Sequence, residues 1–179
     1  MDKKLNFWAA AGLLVLYFVA VFVAEFAGLA HPVCWLLFPA LGAMLAALPY
    51  YKLAARWKRF GMGTTLAATF ALLMTAMGEM DFLQLAICVG CGLLSDVVRM
   101  RVKNDYVTYP ILALGNMATI LYLWTRKEWY LQGAAAEMGQ AYADSLAPLQ
   151  NVLWFCTALG ALFLMAEVGL WIAKKLIKE

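Results

Sequence analysis

The chain has 179 residues, of which 65% are hydrophobic and 14% are charged. Soluble domains carry about 45–50% apolar and about 25% charged residues, so this composition excludes an ordinary soluble domain and predicts an integral membrane protein. The net charge of +3 comes from basic residues spread over short turns, so it does not indicate a protein that binds nucleic acid.

Apolar stretches of membrane-spanning length follow one another along the chain. A hydrocarbon core about 30 Å thick needs about 20 apolar residues per helix. We therefore predict an all-α fold, a bundle of six transmembrane helices that forms a single domain over residues 1–179. The predicted spans are Leu5–Ala27, Val33–Leu53, Gly63–Gly78, Phe82–Met100, Tyr106–Trp124 and Asn151–Ala173. So small a bundle has no room for a nucleotide-binding domain, and any energy for transport would come from an ion gradient or a partner.

Two of these spans have a distinctive composition. Pro39 and Pro49 predict kinks in the second span, because proline removes a backbone donor from the helix interior. The third span is short and rich in Ala, Thr and Gly, and small residues favour close helix packing over lipid contact.

The longest polar segment, residues 126–150, separates the fifth and sixth spans. Met138, Tyr142 and Leu146 follow one another at intervals of four residues, which predicts a short amphipathic helix over Ala134 to Leu146 that ends before Pro148. We expect this helix to lie on the mouth of the bundle. A surface helix with no specific role would show the same pattern.

Lysine and arginine predict the orientation. If the N-terminus is inside, 12 of the 14 basic residues lie in cytoplasmic segments, and only Arg126 and Lys127 lie on the opposite side. The positive-inside rule then places both termini in the cytoplasm and makes the amphipathic helix extracytoplasmic.

The pair Cys88 and Cys91 forms a Cys-x-x-Cys motif inside the fourth span. A membrane thiol–quinone oxidoreductase would use such a pair, but its chemistry normally needs a second pair to relay electrons. Cys34 and Cys156 are single and lie on other helices, so inert packing is the simpler interpretation. The oxidoreductase is kept as an alternative function, and a small structural membrane subunit as another.

Polar side chains toward the extracytoplasmic ends of the spans are candidates for a binding site. Gln84, Asn116 and Asn151 could converge beneath the amphipathic helix in a mostly apolar pocket, although hydrogen bonds between helices would explain them equally well. Trp129 and Tyr130 lie inside the polar segment and not at a helix end, which favours a pocket over the interfacial aromatic belt. His31 is the single histidine, so we predict no resident metal site. We also predict no catalytic residues.

Two acidic residues lie instead near the cytoplasmic ends of their spans. Pairing of Asp96 and Glu167 with Arg99, Arg101 or a terminal Lys, or snorkelling of their side chains to the interface, explains them without catalysis. A proton relay would need carboxylates at several depths, so this distribution counts against an ion-coupled transporter acting alone.

The first span carries a run of small residues. Ala20, Ala24 and Ala27 share a face, and Ala9 and Ala10 extend the small surface toward the cytoplasmic end. Such a surface allows close approach of another helix, either within the bundle or from a separate membrane subunit.

Several stretches carry a resemblance to a known family. They are Arg59-Phe60-Gly61-Met62, Gly92-Leu93-Leu94-Ser95-Asp96, the basic tail Lys174-Lys175-Leu176-Ile177-Lys178 and above all Gly139-Gln140-Ala141-Tyr142-Ala143-Asp144-Ser145-Leu146. With six short spans, the chain resembles the S component of an energy-coupling factor (ECF) transporter, and more narrowly the Trep_Strep or MptD-like family. The similarity covers essentially the whole chain. Glu167 departs from it, because a small residue is expected there.

The resemblance implies a substrate-binding subunit without enzymatic activity, in a bacterial plasma membrane. It would work with a transmembrane coupling subunit and two cytoplasmic ATPases. The implied cargo is a small molecule such as an iron chelate, haem or another tetrapyrrole, or a vitamin, with no intrinsic cofactor. The implied substrate-binding residues are His31, Glu79, Gln84, Asn116, Trp129, Tyr142 and Asn151, and Ala9, Ala20 and Ala24 would dock the coupling subunit.

Overall fold

The computed structural model describes residues 6–178, and all regular secondary structure within that range is helical. Four helices are long and apolar enough to cross a membrane: α1 (Phe7–Leu29), α2 (Pro32–Arg56), α4 (Phe82–Val102) and α9 (Val152–Lys178). The prediction of an all-α fold with membrane-spanning helices is confirmed at this level. Leu5, where the first predicted span begins, and the basic residues Lys3 and Lys4 lie outside the described residues.

The third and fifth predicted spans have a different form. Helix α3 (Met62–Ala76) has 15 residues. The fifth stretch is divided into α5 (Asp105–Leu114), a 3₁₀ helix (Gly115–Ile120) and α6 (Tyr122–Thr125). Every residue of the 3₁₀ helix is buried, and a Cβ at Gly115 would lie 3.1 Å from the Cys88 carbonyl oxygen. This irregular stretch is therefore packed directly against α4.

Small residues let the long helices approach one another closely. Helix α2 lies between α1 and α9 and buries Ala40, Ala43, Ala46 and Ala47, and it continues as one helix through Pro39 and Pro49. A Cβ at Gly169 of α9 would lie 2.6 Å from the Met44 carbonyl oxygen of α2. A Cβ at Gly92 of α4 would lie 2.6 Å from the Ala67 Cβ of α3. These contacts are backbone-to-backbone packing of the kind that membrane helices use.

We call the end of the bundle where α2 and α4 end the basic face. There Asp96 accepts hydrogen bonds from the backbone amides of Gly63 and Thr64, both at 2.8 Å, and from the Thr64 hydroxyl at 2.7 Å. Arg99 donates to the carbonyls of Ala54 and Trp57 at the end of α2. The expected pairing of Asp96 with Arg99 is therefore wrong. Free amides at a helix N-terminus attract a carboxylate, as free carbonyls at a C-terminus attract a guanidinium.

The opposite end of the bundle carries the cap, which we define as residues 127–149. It consists of α7 (Lys127–Met138), α8 (Gln140–Leu146) and a 3₁₀ turn (Ala147–Leu149). The prediction of one helix over Ala134 to Leu146 is wrong, because Gly139 takes φ +92° and ψ +158° and redirects the chain between α7 and α8. Glycine adopts this left-handed φ without strain. We call this end the cap face.

Hydrogen bonds attach the cap to the rest of the bundle. The Trp35 indole donates to the Tyr130 hydroxyl at 2.6 Å, and the Trp124 indole donates to the Leu149 carbonyl at 3.2 Å. The Tyr142 hydroxyl donates to the carbonyl of Gly28 at 3.4 Å. The cap is therefore held on α1, α2 and α6 at separate points.

Candidate functional site

A cavity of about 620 Å³ lies at the cap face. Its walls come from the end of α1, the start of α2, the turn between α3 and α4, the start of α4, the 3₁₀ helix, the start of α6, and the two cap helices α7 and α8. Small-molecule sites in proteins occupy about 300–1,000 Å³ and combine apolar walls with a few placed polar groups. The cavity therefore has the size and position of a small-molecule site.

Aromatic side chains form much of the wall. They are Phe22, Phe26, Trp35, Tyr122, Trp129, Tyr130 and Tyr142. The rings of Tyr122 and Trp129 meet edge to face with centroids 5.5 Å apart. The hydrogen bond from Trp35 to Tyr130 fixes a second pair across the boundary between α2 and the cap. Both pairs hold flat apolar surfaces in place before any ligand enters.

The polar part of the wall is acidic. It contains the carboxylates Glu25, Glu79, Asp81 and Glu137, and none of the lining side chains within residues 6–178 is Lys, Arg or His. Glu25 lies in the apolar helix α1 and is only 8% exposed. Its Oε2 has no hydrogen-bond partner among the described residues. A carboxylate without a partner is unfavourable in such surroundings. The cavity wall therefore carries a negative charge at Glu25 that no group among the described residues balances.

Two neighbouring carboxylates in the turn before α4 differ in their protonation behaviour. Burial, together with the nearby charge of Glu137, raises the pKa of Glu79. The pKa of Asp81 is lowered, first by the hydrogen bond from the Tyr122 hydroxyl and then by the backbone amide of Gln84. Asp81 therefore keeps its charge to a lower pH than Glu79, which takes up a proton more readily.

Gln84 positions the floor of the cavity. Its Oε1 accepts from the Asp81 amide at 2.9 Å, while the Asp81 carboxylate accepts from the Gln84 amide, which is a capping box at the start of α4. Its Nε2 donates to the carbonyls of Ala118 and Thr119 at 2.8 and 3.1 Å. The side chain thus links α4 to the 3₁₀ helix and has little capacity left for a ligand.

The structure brings together four of the seven predicted substrate-binding residues, since Glu79, Gln84, Trp129 and Tyr142 all line the cavity. His31, Asn116 and Asn151 do not. His31 precedes α2, where its Nδ1 accepts from the Val33 amide at 3.2 Å.

Asn151 and Asn116 also have positions away from the wall. Asn151 precedes α9, and its Oδ1 accepts from the Trp154 amide at 3.1 Å. Asn116 is buried within the 3₁₀ helix, and its Nδ2 has no hydrogen-bond partner among the described residues.

Residues outside our predicted set contribute most of the acidity. Glu25, Asp81 and Glu137 line the cavity together with Tyr122 and Tyr130. Glu25 could have been found from the sequence, because a carboxylate inside an apolar span is unfavourable unless it has a function or a partner. Asp81 and Glu137 lie in polar segments, where an acidic residue carries no comparable signal.

The alanines predicted to dock a partner do not form one exposed surface. Ala24 is buried within the bundle, on the same side of α1 as Tyr17, Val21 and Gly28. Ala9 and Ala20 are half-buried. Part of the small-residue pattern of α1 therefore serves packing inside the chain.

The cysteine pair in α4 has the contacts of packing residues. Cys88 is buried, with its thiol 3.7 Å from the Ala67 carbonyl oxygen and its backbone against Gly115. Cys91 is half-buried, and both thiols are free. The close contact with Gly115 and Ala67 shows why a small side chain is needed at position 88.

These features define an integral membrane protein whose helices enclose a cavity of small-molecule size at one end. A family model described as a hypothetical bacterial integral membrane protein (Trep_Strep) matches residues 9–179, and the chain belongs to this family. The resemblance of the sequence to the Trep_Strep family is thereby confirmed. Comparison with curated proteins and with solved structures gave no match.

Proposed function

We propose that the chain is the substrate-binding subunit, or S component, of an ATP-driven ECF-type importer. The observation that carries this proposal is the cavity of about 620 Å³ between the bundle and the cap. Rigid aromatic walls and a few carboxylates are the composition of a binding site for a small molecule. The subunit catalyses no reaction itself. A transmembrane coupling subunit and two cytoplasmic ATPases supply the energy.

The proposal includes six crossings of a bacterial plasma membrane. Besides the four long helices, α3 and the stretch 105–125 make the remaining two. Residues 108–120 are almost entirely buried, and irregular backbone is tolerated at membrane depth where protein surrounds it. The excess of Lys and Arg at the basic face then orients both termini toward the cytoplasm and the cap toward the outside.

The coupling subunit would dock along α1 where the bundle leaves its small residues partly uncovered. Ala9 and Ala20 are half-buried there and Gly12 is exposed. Small side chains at these positions allow a second membrane protein to approach the α1 backbone.

The first test is whether a small molecule accompanies the protein. The chain is purified in detergent and denatured, and the released molecules are identified by mass spectrometry. We expect one stoichiometric molecule, which is strongly reduced in Trp129→Ala. Trp171→Ala is a matched control, because Trp171 is similarly exposed (53% against 61% for Trp129) but lies near the end of α9 on the basic face. Absence of any molecule, or equal amounts from both variants, would contradict the proposal.

The second test addresses the importer. Uptake of the identified molecule into vesicles should require ATP inside and the coupling subunit with its ATPases. Replacing both Cys88 and Cys91 by Ser should leave this uptake unchanged. Loss of activity in the double Ser variant would favour the thiol–quinone oxidoreductase.

A further inference from the structure

We propose that the cavity takes an organic cation, with a protonated amine or quaternary ammonium group on a flat apolar body. This inference rests on the proposed function as a small-molecule-binding subunit and specifies the chemical class of its cargo. Three features of the cavity support it: its acidic side chains, its aromatic rings and the unpartnered carboxylate of Glu25.

Glu25 is a buried carboxylate without a counter-charge within residues 6–178. It lies in the cavity wall, more than nine-tenths buried, and its Oε2 lacks a partner among the described residues. A buried carboxylate is stable in its charged form when an opposite charge is paired with it. Because Glu25 faces the cavity, a cationic ligand would be such a partner.

The basic residue just before the cap acts on a different carboxylate. The Arg126 guanidinium lies 4.5 Å from the centroid of the Tyr122 ring, and its charge acts on Asp81. Asp81 also accepts from the Tyr122 hydroxyl and from the Gln84 amide. Asp81 is therefore satisfied within the chain, and the unbalanced negative charge of the cavity lies with Glu25 and its acidic neighbour Glu79.

The aromatic walls favour a cation that carries a flat body. Trp129 and Tyr122 line the cavity at the cap side, where their rings meet edge to face, and Trp35 lines it at the α2 side. Aromatic faces attract organic cations through the ring quadrupole and pack on planar apolar groups. A volume of about 620 Å³ accommodates a ring system in addition to the charged group.

Two other classes of cargo fit the wall less well. Within residues 6–178, no three His, Cys, Asp or Glu side chains converge in the way that a bare metal ion requires. An iron chelate or tetrapyrrole with carboxylate groups would bring negative charge toward Glu25, Glu79, Asp81 and Glu137. The acidic wall therefore favours a cation over those iron chelates and tetrapyrroles that carry negative charge.

Three indoles of similar shape and different charge test this inference. Tryptamine carries an ammonium group, tryptophol a hydroxyl in its place, and indole-3-acetate a carboxylate. The unfolding temperature of the detergent-purified chain is measured with each compound at millimolar concentration. We expect tryptamine to raise it and the other two to have little effect, because ligand binding stabilises the folded state. Absence of a shift with tryptamine, or an equal or larger shift with tryptophol or indole-3-acetate, would overturn the proposal.

Charge-neutralising variants locate the effect. Glu25→Gln should abolish the tryptamine shift, whereas Glu128→Gln should retain it, because Glu128 is on α7 but outside the cavity wall. If Glu25→Gln does not fold, Glu79→Gln should weaken the shift in its place. A shift that survives the neutralisation of Glu25, or of Glu79 where Glu25→Gln does not fold, contradicts the proposal.

The molecule that accompanies the purified protein distinguishes the proposed binding function from the proposed cationic cargo. A released molecule that depends on Trp129 and contains a cationic nitrogen supports both proposals. A molecule that depends on Trp129 but is neutral or anionic overturns the cation inference and leaves the proposed function standing. Absence of any molecule counts against the proposed function itself.

Discussion

The two ends of the bundle are built on opposite principles. At the basic face, Asp96 and Arg99 satisfy the free backbone groups of two helix ends, and α3 and α4 touch at Gly63 and Gly92. At the cap face, one helix changes to 3₁₀ geometry, the cap chain turns at Gly139, and Glu25 lacks a partner beside a cavity. Close packing and satisfied polar groups specify a fold, whereas departures from them concentrate at functional sites.

This difference indicates how one small chain can keep a cavity at one end of its helix bundle. The closed end fixes the crossing of α3 on α4, and α4 then carries Gln84 to the cavity floor. Substitutions at the basic face should therefore reduce stability. Charge changes at the cap face should alter binding with little effect on the fold.

The largest effect is expected from Asp96→Ala. The substitution removes the acceptor of two backbone amides and one hydroxyl that are buried or partly buried at the start of α3. Because hydrogen bonds to a charged group are strong and their loss leaves buried donors without partners, we expect a loss of about 3 kcal/mol in unfolding free energy. Denaturant titration of the purified protein measures it.

Asp144→Ala is the matched control for this substitution. Asp144 is an exposed aspartate of α8 whose side chain accepts one hydrogen bond, from Gln140 in the same helix. Its removal should change stability by less than about 0.5 kcal/mol. Equal stabilities of the two variants would show that polar contacts at the basic face do not contribute more to stability than those at the cap face.

A smaller effect is expected from Gly92→Ala. The added Cβ would meet the Ala67 Cβ at 2.6 Å and the Gly63 carbonyl oxygen at 2.7 Å, so α3 and α4 would have to separate. Overpacking of this kind reduces stability by about 1–3 kcal/mol. Gly90→Ala, two residues away in the same helix, meets nothing within 4 Å and should be neutral or stabilising, because alanine favours helix. Thermal unfolding of both variants compares them, and an unchanged Gly92→Ala would contradict the close crossing.

The fold was largely predictable where apolar length decides it. The four long helices begin and end within a few residues of their predicted spans, apart from the last, which extends to Lys178. The break at Gly139 was not predicted, because a glycine between two helix-forming stretches gives no information about its φ. The change to a 3₁₀ helix at Gly115 depends on contact with Cys88, which is distant in sequence. Local pattern contains no record of such a contact.

The site was predictable in part. Trp129 and Glu79 were indicated by their place in polar segments at the cap end, and both line the cavity. Asn151 and His31 have the same kind of place, but their side chains cap helices α9 and α2 instead. A polar residue at the end of a span fits both roles, and only the direction of its side chain distinguishes them.

The smallest predicted effect is a pH dependence of cation binding through Glu79. The groups around this carboxylate are Glu25 on α1, Glu137 on α7 and Asp81 in the same turn. Burial and Glu137 raise the pKa of Glu79, so acidification from neutral pH protonates it before an ordinary glutamate. Tryptamine affinity should therefore fall as the pH approaches this raised pKa. The change should be only a few-fold, because Glu79 is only partly covered by the protein and solvent screens its charge.

The stability of the ligand-free chain should move in the opposite direction. A raised pKa means that the folded state binds the proton more tightly than the unfolded state. Protonation of Glu79 therefore stabilises the folded state fully below the unfolded-state pKa. This stabilisation is lost as the pH rises through the folded-state pKa. Acidification through that window should thus stabilise the empty protein while it weakens tryptamine binding. Glu79→Gln should reduce the slope of both profiles, and Glu128→Gln should change neither. If stability and affinity changed in the same direction, another group would be titrating. The contrast between the basic face, whose polar groups are paired, and the cavity, whose negative charge is unbalanced, would then lose this support.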